Sequence, residues 1–268
     1  MPSASVPPDL QAPSLRMLLD FAVDAAWRAG KITLEYFQTG TPVQRKADTS
    51  PVTLADRRAE EALRERIQAH FPGHGILGEE FGELPGSTPY RWILDPLDGT
   101  RSFIQGVPLY GVLLGLEYAG RAILGVAHFP ALDETAYAAQ GEGCYWNGRR
   151  AAVSGVDRLP EAVLLATDVA SLYTEGRGRA FEALQAQTGL LRTWGDCYGH
   201  LLVATGRAEI MLDSIMNIWD CAALQPILEE AGGTFTDWKG TATHTGGNAV
   251  STNGHLFGPV MEIIAASH

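Results

Sequence analysis

The sequence predicts a mixed fold, α+β in its first half and α/β in its second. Three observations predict it. Two amphipathic helical segments open the chain. Strand-like segments joined by tight turns then run to about residue 152. From there strand and helix patterns alternate to the C-terminus. At 268 residues, and roughly 150 residues per domain, one large domain or two fused lobes is expected.

The start, MPSASVPPDLQAPS, reads as a loose Pro/Ser/Ala tail over residues 1–14. It lacks the basic and apolar regions of a secretory signal. Leu15 to Phe37 carries Leu15, Leu18, Leu19, Ala22 and Ala26 at helical spacing. A polar, turn-rich loop holding Lys46 follows. A second helix begins near Thr53, with Ala59, Leu63, Ile67 and Phe71 along one face, and Pro72-Gly73 stops it. Gly73 to Gly78 reads as a short strand and GEEFGELPGSTPY as a loop. RWILD is a β run that ends in the turn PLDGT. Two strands then meet at Ala119-Gly120, and Asn147-Gly148 is the strongest later hairpin signal.

In the second half AVLLAT and AEIMLD read as strands, and FEALQAQT as a helix. LRTWGDCYGHLLVATG holds a short strand and then a helix. WDCAALQPILEEAGG reads as one helix closed by Gly-Gly, GTFTDW as the last strand, and MEIIAA as a final short element.

The charge balance narrows the function. Asp and Glu outnumber Lys and Arg by 31 to 20, a net charge of −11. That argues against nucleic acid or an anionic membrane as the main partner. No apolar run reaches the roughly 18 residues needed to span a bilayer. Cys144, Cys197 and Cys221 are odd in number and far apart. They match neither a disulfide framework nor a zinc spacing, and a reducing cytoplasm is the expected setting.

The chemistry concentrates in WILDPLDGT, residues 92–100. An apolar strand delivers Asp95 to a turn that Pro96 stiffens, and Asp98 follows at once. Two carboxylates on one small turn suit a hard cation such as Mg²⁺. Gly99 and Thr100 can offer backbone N–H groups to phosphate if a helix begins there. Taken alone, the string also fits an Asx turn capping a helix. Three more acidic elements flank it: Glu79-Glu80, Asp56 and Asp220. Asp56 and Asp220 each sit in the first turn of an expected helix, where compensating the helix dipole is a sufficient role for either one alone.

In this order the strings PVTLAD, GEE, WILDPLDGT and WDCAALQPILEEAGG resemble the inositol monophosphatase superfamily of Mg²⁺-dependent phosphomonoesterases. The resemblance runs from about Leu15 to the C-terminus. It implies an α+β / α/β layered sandwich (αβαβα). An N-terminal α+β lobe (15–151) would carry an antiparallel sheet and most metal ligands, and a C-terminal α/β lobe (152–268) would complete the site. It also implies two or three Mg²⁺ per site, held by Glu79, Asp95, the Leu97 carbonyl, Asp98 and Asp220. Asp56 and Thr100 would orient the attacking water, with Glu79 bridging metals. Gly99 and Thr100 would bind phosphate, and Glu80 would be a bystander. Family members are commonly homodimers.

Two stretches are similar to the histidinol-phosphate phosphatases of that superfamily: DGTRSFIQGVPLYGVLLGL, and WGDCYGHLLVATGRAEIMLD at 194–213. Histidinol phosphate carries an ammonium and an imidazole, so an acidic pocket suits it. Asp196, Asp213 and Arg101 are the candidate substrate contacts. Asp196 equally fits a helix cap, Asp213 a strand-end carboxylate, and Arg101 a partner for a loop acid. His200, one turn after Asp196, either reaches substrate or is a buried hydrogen-bonding group. Lys46 is either a flap residue or a solvated loop charge. Trp92, Trp194 and Trp219 read as packing, and Cys197 and Cys221 as small apolar fillers. An inositol or sugar-phosphate phosphatase is the alternative activity, and a non-catalytic metabolite-binding regulator is the alternative of another class.

Overall fold

The computed structural model describes residues 13–45 and 51–267. Most of the expected tail, residues 1–12, and Lys46 lie outside the described residues.

Helices α1 (Leu15–Tyr36) and α2 (Leu54–His70) flank a short hairpin of β1 (Gln44–Arg45) and β2 (Pro51–Val52). Ser14 and Thr53 accept backbone N–H bonds as N-caps. The first large sheet follows: β3 (Gly75–Gly78), β4 (Gly82–Leu84), β5 (Tyr90–Asp98), β6 (Gly111–Tyr118), β7 (Arg121–Phe129), β8 (Glu134–Ala139), β9 (Gly143–Trp146) and β10 (Arg149–Arg150). A five-residue helix, α3 (Thr100–Ile104), interrupts it. The spatial order is β10-β9-β8-β7-β6-β5-β3-β4. Both expected hairpin turns form, with positive φ at Ala119, Gly120, Asn147 and Gly148, as their tight turns require.

The second half begins with a 3₁₀ turn at Leu159–Glu161. It builds β11 (Val163–Ala166), α4 (Val169–Thr174), α5 (Gly178–Gln187), β12 (Leu190–Arg192), α6 (Asp196–Ala204) and β13 (Ile210–Asp213). Then come α7 (Ile218–Cys221), α8 (Leu224–Glu230), β14 (Thr234–Thr236), β15 (Ala249–Thr252) and α9 (Phe257–Ala266). The second sheet has the order β12-β11-β13-β15-β14.

Side-chain alternation builds the layers. Val112, Leu114 and Leu116 of β6 pack with Trp92 and Leu94 against Leu18, Leu19, Leu63 and Ile67 of α1 and α2. Leu113 points the other way, into a core shared with α6, α8 and the second sheet through Leu201, Ile227 and Met211. Leu164, Ile210 and Leu212 face outward onto Phe181, Leu184 and Val260 of α5 and α9. The period of two thus sorts each strand between two cores. The result is the αβαβα sandwich.

Several expectations need correction. The first sheet is not wholly antiparallel, because β3 pairs parallel with β5. The 79–90 loop contains a strand, β4, paired antiparallel with β3. The helix expected over 219–233 is broken between Cys221 and Leu224. Pro226 has no N–H to offer the carbonyl of Ala222, which opens the ladder there. GTFTDW is not the last strand: β15 inserts between β13 and β14. MEIIAA is the end of the ten-residue α9.

The broken helix sits in a notch. Gly115 and Gly125 are register partners on β6 and β7. A Cβ on Gly115 would come within 2.8 Å of the Ala222 backbone, and one on Gly125 within 1.9 Å of the Ala223 carbonyl oxygen. Only glycine at both positions lets the chain just past Asp220 lie on the sheet.

Candidate active site

Strand β5 runs buried from Trp92 to Leu97 and ends at the sheet margin. Its ladder with β6 is interrupted between Asp95 and Asp98. That irregularity turns both carboxylates the same way. Asp95 Oδ1 accepts the Leu97 N–H at 3.0 Å, so the Asx turn is real as well. Gly99 follows with φ 80°. A side chain there would meet the Leu109 carbonyl at 3.0 Å, so only glycine fits without strain.

Asp220 joins from α7. One carboxylate oxygen from each of Asp95, Asp98 and Asp220 lies within 4.8 Å of the others. Asp220 also caps its own helix: its Oδ2 accepts the Asn217 N–H at 2.6 Å. Asp56 divides its oxygens in the same manner. Oδ2 accepts the Thr53 N–H at 2.8 Å and its hydroxyl at 2.7 Å. Oδ1 accepts the Thr100 hydroxyl at 3.3 Å, which also reaches the Leu97 carbonyl at 3.1 Å. Helix capping and site membership are therefore not alternatives for either acid.

The acids repel one another. Burial first, then Glu79, Asp98 and Asp220, push the Asp95 carboxyl well above its usual range. Burial and Asp220 raise Asp98 to about 7. Burial raises Asp220 to about 7, with Glu79 and Asp213 adding to the rise. Burial also raises Asp56, and Glu80 adds to it. Glu79 thus acts on the cluster and Glu80 on Asp56, so Glu80 is not electrically remote from the site. One buried and two half-buried carboxylates, with no basic side chain paired to them among the described residues, suit a bound cation. An all-oxygen donor set of carboxylates and a carbonyl fits a hard divalent ion.

Asp196 opens α6 at positive φ, 51°. Its N–H donates to the Thr167 hydroxyl at 2.7 Å, and its Oδ2 accepts from Ser102 at 3.2 Å. Burial and then Asp98 raise it to about 8, and nearby Arg101 opposes the rise. Asp213, at the end of β13, is 8 % exposed and contributes to the rise of Asp98, Asp196 and Asp220. The expected site residues therefore gather at one end of β5, with Arg101 exposed at the margin yet close enough to act on Asp196. Trp92 is fully buried as expected, but Trp194 is 43 % exposed and lies over Arg192 rather than in a core. Cys197 and Cys221 are buried, and burial pushes both thiols well up, which fits inert fillers.

Two contributors were not expected. Glu60, fully buried on α2, accepts the Glu80 N–H at 2.7 Å and the Phe81 N–H at 3.2 Å, and pairs with Arg64 at 2.7 Å. It pins the segment that carries Glu79. The signal was available: Glu60 lies one turn after Asp56, on the apolar face of α2. The other is the Cys197 N–H, which donates to Asp98 Oδ2 at 2.6 Å.

Comparison with known proteins adds the decisive observation. The model of the inositol monophosphatase family matches residues 14–267. The chain belongs to the inositol monophosphatase family. It is, with that family, a metal-dependent phosphoric monoester hydrolase. This family member is 46 % identical to a histidinol-phosphatase of Chlorobaculum parvum, over 92 % of its own length and 95 % of the relative's. It is 35 % identical to a histidinol-phosphatase of Mycobacterium tuberculosis, over 91 % and 96 %. Among solved structures it superposes on a Thermotoga maritima IMPase with a TM-score of 0.85 and 30 % identity, covering 93 % and 97 % of the two chains. Among the described residues, no helix of the phosphatase is long and apolar enough to cross a membrane.

Proposed function

We propose that the chain hydrolyses L-histidinol phosphate to L-histidinol and phosphate, with Mg²⁺ as its cation. The observation that carries this reading is the pair of extra carboxylates, Asp196 and Asp213, beside the Asp95/Asp98/Asp220 cluster. A neutral polyol needs hydrogen bonds only. A leaving alcohol that bears an ammonium and an imidazole gains from two further acids. The names of the two histidinol-phosphatase relatives support the same substrate.

Glu79, Asp95, the Leu97 carbonyl, Asp98 and Asp220 are assigned to the metal. Bound there, Mg²⁺ supplies positive charge to the phosphoryl oxygens and to the departing alkoxide, and acidifies water. The chain's own groups do the rest. Gly99 and Thr100 face the phosphate with their N–H groups. Asp56 Oδ1 and the Thr100 hydroxyl orient a water molecule in line with the scissile bond. As water oxygen bonds to phosphorus the ester P–O bond breaks; the water gives up one proton and the leaving oxygen takes one up, so the products are the alcohol and hydrogen phosphate. No side chain forms a bond to phosphorus in this scheme, so turnover leaves no phosphoenzyme. The three buried free cysteines support a reducing, cytoplasmic setting, and a homodimer is the assembly assigned by family habit.

The test is phosphate release with Mg²⁺ from L-histidinol phosphate, inositol 1-phosphate, fructose 1,6-bisphosphate and adenosine 3′,5′-bisphosphate. A strong preference for the first is expected, and Asp196→Ala should lower its turnover far more than that of inositol 1-phosphate. A flat profile, or inositol phosphate ahead, overturns the substrate while leaving the phosphatase chemistry standing.

A further inference from the structure

His200 is fully buried one turn into α6, yet both of its ring nitrogens are engaged. Nε2 lies 3.0 Å from Asp213 Oδ2, and Nδ1 lies 2.7 Å from the hydroxyl of Ser251 on β15. Ser251 is itself fully buried. An ionised carboxylate only accepts, so Nε2 carries a proton toward Asp213. With Nε2 bonded to Asp213 and Nδ1 to the Ser251 hydroxyl, the ring plane is fixed from both sides.

The rest of Asp213 is held as firmly. Its carbonyl accepts the Trp238 indole N–H at 2.8 Å, and its backbone pairs with Ala249 of β15. Arg177 lies over the Trp238 ring and donates to the next carbonyl, that of Ser214. With main chain and Oδ2 both fixed, Asp213 has few rotamers left. Its negative charge is felt by Asp98, Asp196 and Asp220, so it lies toward the site. The same helix thus carries Asp196 in its first turn and, one turn on, the imidazole that holds Asp213.

We infer that His200 is a positioning residue for substrate selection: through Nε2 it aims the Asp213 carboxylate at the cationic part of the leaving alcohol, and Ser251 locks it in that task. It does not touch phosphate or metal. The inference rests on the histidinol phosphate reading above and deepens it. A preorganised carboxylate spares the ordering cost that a free side chain would add to binding. The effect is largest for cationic substrates: a polyol hydroxyl can still donate to Asp213, whereas p-nitrophenyl phosphate offers it neither a charge nor a hydroxyl donor.

The experiment compares wild type, His200→Asn, His200→Gln and Ser251→Ala in the presence of Mg²⁺. Substrates are L-histidinol phosphate and two esters with neutral leaving groups, inositol 1-phosphate and p-nitrophenyl phosphate. Asn cannot reach Asp213, whereas the Gln amide N–H can stand where Nε2 stood. His200→Asn is expected to raise KM for L-histidinol phosphate about tenfold with kcat within about twofold, to raise it less for inositol 1-phosphate, and to leave p-nitrophenyl phosphate unchanged. His200→Gln should recover most of the loss, and Ser251→Ala should fall between. Binding of the product L-histidinol, followed by calorimetry, should weaken in parallel. A thermal melt separates misfolding from misaiming, since a folding defect lowers activity on all three esters. Equal losses on all three, no rescue by Gln, or no change of KM overturns the inference. Wild type that ignores L-histidinol phosphate but cleaves the neutral esters overturns the substrate reading itself, and the inference with it.

Discussion

The carboxylate of Asp98 accepts a 2.6 Å hydrogen bond from the backbone N–H of Cys197, 99 residues further along the chain. Asp98 ends a strand of the first sheet, and Cys197 lies in the first turn of the helix between the sheets. One bond therefore fixes a candidate metal ligand and the helix that opens on Asp196 relative to each other. It is charge-assisted, the stronger kind of hydrogen bond.

Removing a carboxylate from the cluster should trade activity for metal-free stability. Asp95→Asn, Asp98→Asn and Asp220→Asn each delete one like charge from a buried or half-buried cluster. Activity should fall by about a thousandfold or more, the loss expected when the cation that stabilises transition-state charge is no longer held. Without metal the melting temperature should rise, while the rise that Mg²⁺ produces in wild type should shrink. Thermal scans with and without Mg²⁺, beside a chelator control, read both effects. A metal-free variant less stable than wild type would mean that the three acids do not repel as described.

The pH dependence of metal-free stability follows from the same groups. Asp98 and Asp220 are raised to about 7 and Asp196 to about 8, with Asp95 and Asp56 also raised. From about pH 4, the ordinary carboxylate range, up to these values the folded chain holds more protons than the unfolded chain. Stability should therefore fall as pH rises through that window. Saturating Mg²⁺ binds the ionised site and should flatten the slope. Urea midpoints from pH 4.5 to 8 with chelator, then with Mg²⁺, supply the measurement.

Glu60→Ala should weaken metal binding without removing a ligand. The substitution leaves the N–H groups of Glu80 and Phe81 and the Arg64 guanidinium without their shared acceptor. Roughly 3 kcal/mol of stability should go with it. The Mg²⁺ concentration for half-maximal rate should rise severalfold, and excess Mg²⁺ should restore much of kcat. A loss that no Mg²⁺ concentration repairs would place Glu60 in the fold alone.

Thr100→Ala should lower kcat by roughly ten- to a hundredfold with little change in KM, the signature of a group that acts on the attacking water. The hydroxyl spans Asp56 and the Leu97 carbonyl, so Thr100→Ser should retain most of the rate. A Ser variant as slow as Ala would point to the methyl group and to packing instead.

The long periodic elements were legible in the sequence. Leu18, Leu63, Val112 and Leu114 carry the helix and strand periods that placed α1, α2 and β6, and all four sit in one core. The tight turns at Ala119-Gly120 and Asn147-Gly148 were equally plain, because only a few residues accept positive φ. The short edge strand β4 was not, since its three residues are exposed and carry no alternation. Strand β15 was hidden for a different reason. Ala249 to Thr252 are all buried, so no polar face alternates with an apolar one. In the site, the acids showed themselves by their residue types and order. What holds them did not: the Cys197 N–H is backbone and has no letter of its own. The grip of His200 on Asp213 depends on β13 and β15 being neighbours, which is a fact of topology.

The glycine notch under α7 and α8 has a practical consequence for anyone mutating this protein at random. Gly115 and Gly125 touch no substrate and offer no donor group. Yet a single added methyl at either must push the Ala222–Ala223 link off the sheet, and Asp220 is tethered two or three residues away. A screen for lost turnover should return these two positions among the carboxylates. Their variants would look chemically intact, with every acidic residue in place and Asp220 set at the wrong depth beside Asp95 and Asp98.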